Sequence, residues 1–157
     1  MFDTIIWATD GSETADRALP YAKALADGPG RKLVAVHCKE VYVGRAGGWP
    51  VLADEDELLE KIRGQVEEAR EEGLDVRLQI TTTAALGAAH KIADFARDTG
   101  ADLIVVGTRG HSPVAGLLLG SLTQRLLHIA PCPVIAVPPD AAAETEKAED
   151  VATAVTH

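Results

Sequence analysis

Gly107, Gly110, Gly120 and Ser121 stand at a spacing suited to holding phosphate: glycine, two residues, glycine, nine residues, then glycine and serine. The run Leu103, Ile104, Val105 and Val106 leads into the motif and reads as a buried parallel strand. Glycine after such a strand lets main-chain N–H groups approach a ligand closely, because no Cβ intervenes. Ser121 then opens an apolar segment, residues 122–129, that predicts a short helix. Amides at two glycine turns, with a hydroxyl at a helix N-terminus, make a cradle for phosphate oxygens. The competing reading of the same spacing is that these glycines only turn the chain.

The elements that must position this motif alternate along the chain. Residues 5–8 are a short apolar run ended by Thr9, Asp10, Gly11 and Ser12. Residues 13–26 place Ala15, Ala18, Leu19, Ala22 and Leu25 at helical spacing, with Ser12 as N-cap and Glu13 and Asp16 in the first turn. Pro20 is awkward inside that helix and predicts a kink. Gly28, Pro29 and Gly30 end it. Residues 32–37 read as the second strand. Residues 39–53, with Gly44, Gly47, Gly48 and Pro50, read as a long connection of the kind that is mobile or functional.

Asp54 and Glu57 read as a capping box for a helix whose Leu58, Leu59, Ile62, Val66 and Ala69 form one stripe, ended by Gly73. Val76, Leu78 and Ile80 alternate with Arg77 and Gln79, which predicts a third strand nearer the sheet edge. A helix over residues 84–97 turns Ile92, Ala93, Phe95 and Ala96 inward and stops at Gly100. The strand at Leu103, the glycine motif and its helix follow. The last strand, Val134, Ile135, Ala136 and Val137, is bracketed by Pro131, Pro133, Pro138 and Pro139. Glu67, Glu68, Glu71 and Glu72 read as a solvated helix face.

Alternating strands and helices with continuously apolar strands predict an α/β fold. The expectation is a single doubly wound domain over residues 1–139: a five-stranded parallel sheet, order 3-2-1-4-5, with helices on both faces. In that order strands one and four are neighbours whose chains leave in opposite directions. A crevice opens between their carboxyl ends, where Asp10 and Gly107 would meet.

Composition narrows the classes. The 157 residues suit one compact domain, and 46% hydrophobic with 25% charged residues suits a globular one. With 4% aromatic residues, the core must be aliphatic. A net charge of −9 argues against a nucleic-acid surface. Residues 140–157 carry five acids against one lysine and no apolar periodicity, so an acidic, disordered tail is expected there. No apolar stretch approaches the roughly 20 residues of a membrane span. Cys38 and Cys132 lie in apolar surroundings; a disulfide and two buried free thiols are both open, and the thiols are favoured. With the first strand beginning at once and no signal peptide, the expectation is a cytoplasmic protein.

The motif, taken with other segments, resembles the nucleotide-binding signature of the universal stress protein family. Carrying the resemblance are the opening residues 5–12, His37, residues 100–107, the glycines and Ser121, and the closing residues 131–137. It covers nearly the whole chain up to Pro138. It implies a cytoplasmic homodimer, paired through the last strand, Val134 to Val137, in a subgroup that binds ATP. Carried over residue by residue, it implies phosphate contacts at Gly107, Arg109, Gly110, Gly120 and Ser121, with Val106, Leu122 and the Thr123 hydroxyl nearby. Ala8, Thr9 and Asp10 would form the ribose and adenine side, and main chain around Cys38 the adenine edge. Relatives commonly carry a Gly-x-Pro turn where this chain has residues 81–87, a loop expected to lie off the site.

A carboxylate at Asp10 repels polyphosphate unless a cation intervenes. It therefore reads as an acceptor for ribose or base, as a link to phosphate through Mg²⁺, or as a helix cap beside Ser12. His37 and Cys38 are adjacent, so on a strand they face opposite sides and make a poor joint metal site. Cys132 has no His partner in sequence, and His111 and His128 read as polar surface groups, His111 within the phosphate loop. The chain has no Walker string, no G-x-G-x-x-G after strand one, and no receiver-type Asp ending strand three. No catalytic residue is assigned. The primary expectation is an ATP-binding stress-response regulator whose occupancy biases the loop 112–119. A slow ATPase or adenylyl-transferring enzyme on the same site, and a nucleotide-independent dimeric scaffold, are the alternatives.

Overall fold

A computed structural model of the chain describes residues 2–51, 53–110 and 119–139. The loop residues 111–118, with His111, and the segment 140–157 lie outside the described residues. Strand β1, Thr4–Ala8, is central, with β2, Lys32–Gly44, on one side and β5, Leu103–Gly107, on the other, both parallel to it. Strand β6, Val134–Val137, pairs with β5, and β4, Val76–Ala84, pairs with β2, again in parallel. With β4, β5 and β6 as the third, fourth and fifth strands of the sequence reading, the expected order holds.

Among the described residues the sheet has six strands rather than five. The extra one, β3, Gly47–Pro50, runs antiparallel to the far end of β2. Residues 39–53 are therefore not an open connection. β2 continues to Gly44 and folds back through a two-residue turn, with Gly44 opposite Gly47 and Gly47 at φ +120°. Of the glycines that read as loop punctuation, Gly44 and Gly47 flank the hairpin turn and Gly48 lies within β3.

Successive strand residues point to opposite faces, so the two faces make two separate cores. Ile5, Trp7, Leu33, Ala35, Leu103 and Val105 pack against helix α1, Glu13–Ala26, and helix α2, Glu55–Glu71. Ile6, Val34, Val36, Ile104 and Val106 pack against helix α3, Ala88–Thr99, and Leu126 of helix α4, Ser121–Ile129. The buried face of α1 is Ala15, Ala18, Ala22 and Ala26, and small side chains let that helix lie close to the strands. Trp7 is wholly buried, and its indole N–H donates to the Ala15 carbonyl at 3.0 Å, which satisfies a group otherwise costly to desolvate. Ser12 caps α1 by accepting from the Ala15 N–H, and the helix continues past Pro20.

Two local expectations fail. Asp54 occupies the N-cap of α2 but makes no side-chain cap, so the capping box does not form. β4 runs on through Thr81, Thr82 and Thr83, and α3 starts four residues later than expected. β-Branched threonines fit a pleated strand, and pairing with the long β2 carries them along.

The opposite end of the sheet has its own clasp. Asp102 Oδ2 accepts from the Asp3 N–H at 2.8 Å and the Thr4 N–H at 3.0 Å, tying the start of β5 to the start of β1. The Thr4 amide foremost, then that of Asp3, holds this carboxyl below its usual range. A carboxyl depressed on folding stabilises above its unfolded pKa, about 3.9, and loses that contribution as pH falls through the lower folded value. Asp102→Ala is thus expected to lower the urea midpoint at pH 7. The gap from the parent should narrow below about pH 4 and close once the parent carboxyl is protonated. A gap of constant size down to acid pH would show that the clasp does not act through its charge.

Candidate functional site

β1 and β5 are neighbours, and the chain leaves β1 toward one face of the sheet and β5 toward the other. A cleft opens over their carboxyl ends, with a cavity volume of ≈ 230 Å³. That is far more than the roughly 15 Å³ a single water needs, so the cleft is of ligand scale. All the residues expected at the site line it. Ala8, Thr9 and Asp10 come from the β1–α1 loop, Cys38 from β2, and Val106 and Gly107 from the end of β5. Arg109, Gly110, Gly120, Ser121, Leu122 and Thr123 complete the β5 side.

The glycines have different jobs. A Cβ on Gly107 would lie 2.8 Å from the Thr14 carbonyl carbon and oxygen, so this glycine lets the first turn of α1 pack against β5. A Cβ on Gly110 would lie 2.5 Å from Asp10 Oδ2, so here two loops a hundred residues apart touch. Gly120 is drawn to the same place by its N–H, which donates to the Thr108 carbonyl at 2.6 Å. Gly120 is the N-cap of α4 and supplies no side chain to the helix. The first amides of α4, at Ser121, Leu122 and Thr123, have no intrahelical acceptor and sit on the cleft wall. Such a helix end attracts anions.

Side chains on the lining are already engaged. Asp10 Oδ1 accepts from the Ser12 N–H at 2.9 Å, which is its loop-shaping role. Thr123 is buried and donates its hydroxyl to the Gly107 carbonyl at 2.7 Å, so its proton fastens α4 to β5. Cys38 Sγ lies 3.8 Å from the Ala88 carbonyl, and burial, with Glu40 nearby, pushes its thiol up to about 12. It is therefore no nucleophile at neutral pH. Both cysteines are free thiols, partly rather than fully buried.

Several lining residues escaped the sequence reading. His37 is buried on the α2 side, opposite Cys38, with Nδ1 2.9 Å from the Thr9 carbonyl and Nε2 on Glu55 Oε1. A carbonyl only accepts, so Nδ1 carries the hydrogen of that bond. Glu55 falls on the same helical stripe as Leu58 and Ile62, and that phase was the available signal. Glu40 Oε1 accepts from the Ala88 N–H at 3.2 Å, at the start of α3. Leu86 and Ala88 also line the cleft, which corrects the expectation that the turn after β4 lies off the site. Arg125 of α4 reaches across to that turn and donates to the Leu86 carbonyl at 2.9 Å.

A parallel sheet with a crevice at its switch point, walled by glycine turns and a helix N-terminus, defines a doubly wound α/β ligand-binding domain. The model of the universal stress protein family matches residues 1–138, and the chain belongs to that family. It is 38% identical over 144 residues to a universal stress protein of Thermus aquaticus, encoded 3′ of a QAH/OAS sulfhydrylase; the match spans 87% of this chain and 99% of that one. The solved structure of protein MJ0577 of Methanocaldococcus jannaschii is similar at a TM-score of 0.69 and 25% identity, over 90% of this chain and 99% of that one. A universal stress protein of Archaeoglobus fulgidus, solved in complex with dAMP, shares the fold at a TM-score of 0.62 and 22% identity, over 87% and 98% of the two chains.

Proposed function

We propose that this chain is an ATP-binding regulator of the stress response, with residues 1–139 as the nucleotide-binding unit. In this reading the polyphosphate lies on main-chain amides at Gly107, Arg109, Gly110, Gly120 and Ser121. Ribose and adenine lie toward Ala8, Thr9, Asp10 and the main chain at Cys38. The observation that supports the reading most is the close approach of Gly110 to Asp10, where an added Cβ would meet Oδ2, with the glycine turns and the β1 loop lining one cleft. Anion-seeking amides on the β5 side, with Ala89 and Ile92 of α3 as apolar lining, suit a ligand with a charged and a flat part. Mg²⁺ fits as a bridge between phosphate and Asp10, because it is commonly held by one or two carboxylates plus substrate phosphates.

Binding rather than turnover is favoured by the state of the carboxylates on the lining. Glu40 is engaged by Ala88 and Glu55 by His37, which leaves these two shaping the protein rather than orienting water. In the same reading the protein is a cytoplasmic homodimer paired along β6, at the edge of the sheet, beside the exposed Ile135 and Leu127. No helix among the described residues is long and apolar enough to cross a membrane.

Calorimetric titration with ATP and GTP tests the proposal, together with native mass spectrometry of gently purified protein. ATP is expected to bind at one site per chain and GTP markedly more weakly. ADP in the purified protein would favour the slow ATPase, and no affinity for either nucleotide would leave the scaffold reading.

A further inference from the structure

Among the described residues, Leu86 is the non-glycine with a positive φ, at +69°. A side chain with a Cβ is strained there, whereas glycine is not. The strain brings no burial in return, since Leu86 is 70% exposed. Its neighbour Gly87 does not relieve it. Gly87 adopts an ordinary φ of −89° and is needed for another reason, because a Cβ on it would meet Thr83 Oγ1 at 2.3 Å. The turn is held in this form from three sides. Arg125 donates to the Leu86 carbonyl at 2.9 Å, the Gly87 N–H to the Ala84 carbonyl at 3.0 Å, and the Ala85 N–H to the Val41 carbonyl at 3.1 Å.

Strain that surrounding bonds enforce and local packing does not reward points to a function for the residue. Leu86 lines the cleft, and its turn leads directly into Ala88, which is tied to Glu40 and Cys38 at the β2 end. Gly110 and Gly120 belong to the β5 end. We propose that Leu86 is a specificity-determining residue that lays its apolar side chain against the flat face of the bound base. The inference rests on the nucleotide reading above and extends it: the strained leucine is costly in the empty protein and gains contact only when a base covers it.

Three proteins decide the matter: the parent, Leu86→Gly and Leu86→Ala, each melted and titrated with ATP, adenosine and tripolyphosphate. Both variants should bind ATP and adenosine about tenfold more weakly, equivalent to about 1.4 kcal/mol. Tripolyphosphate, which has no base, should bind all three alike. Leu86→Gly, freed of the strained φ, should melt about 2 °C above the parent, while Leu86→Ala keeps a Cβ and should melt with it. A parent that binds ATP alongside variants that bind it equally well overturns the role of Leu86 and leaves the nucleotide reading standing. Tripolyphosphate weakened as much as adenosine also overturns it, because the turn would then shape the whole cleft. A melting point for Leu86→Gly at or below the parent's removes the strain. A parent without affinity for ATP takes both readings down together.

Discussion

Replacing Gly120 by Glu is expected to abolish ATP binding, by at least a hundredfold, while the chain stays folded. Gly120 has a φ of −68° and a ψ of 159°, ordinary extended backbone that any residue adopts. A Cβ there would lie 3.3 Å from the Arg109 Cα and 3.4 Å from the Thr108 carbonyl oxygen, tight but not impossible with a small shift. The fold should therefore survive. The rest of the side chain has to go somewhere, and Gly120 lies on the cleft wall beside Gly110 and the free amides of α4. A carboxylate in that place takes the room of a phosphate and meets the helix end as its own anion. Loss of about 2.7 kcal/mol corresponds to the hundredfold effect. Calorimetry with ATP, with far-ultraviolet circular dichroism to check folding, reads the outcome. Retained affinity would move the phosphate site elsewhere.

Glu55→Ala should be the most destabilising of the single changes considered, costing about 3–5 kcal/mol as a broken buried pair. Glu55 and His37 are both almost wholly buried, and each uses the other as a partner. Without the carboxylate, Nε2 of His37 loses its partner, while Nδ1 remains bound to the Thr9 carbonyl. The β1–α1 loop and α2 would lose the link between them, although the Lys61 ammonium still holds the Gly11 carbonyl at 2.8 Å. Glu55→Gln keeps a partner for the ring and should recover much of the loss. The urea midpoint, with unchanged slope, is the measurement. A midpoint for Glu55→Ala within experimental error of the parent would mean that the pair adds nothing to stability.

The strands that carry the site could be read from the chain because their signal is local. Ile5, Ile6, Val34, Val36, Leu103 and Val105 are buried on one face or the other, as continuous apolar runs in a covered parallel sheet must be. The crossover rules then bring Asp10 and Gly107 to one crevice without further information, and both line it. What escaped depends on partners distant in sequence. Trp49 and Gly48 look like loop residues until β2 runs on past Val41, where its pairing with β4 ends, to Tyr42 and Val43 opposite them. Asp54 and Glu57 have the spacing of a capping box, yet the chain turns Glu55 inward to His37, a partner 18 residues away. At Leu86 local preference is simply overruled: nothing in the residue announces a positive φ, and three hydrogen bonds to the turn impose it. Gly107 reads as a glycine that lets main chain approach a ligand, whereas the close approach its missing Cβ permits is to Thr14 of α1.

The two tryptophans give this molecule a pair of built-in optical probes. Trp7 sits in the sheet centre with no solvent contact, so its emission is expected to be blue-shifted and to move to the red when the domain opens. Trp49, on the β3 arm, is 53% exposed and is expected to emit as an indole in near-aqueous surroundings. Excitation at one wavelength thus reports on two regions, and loosening of the arm can be distinguished from melting of the body without any label.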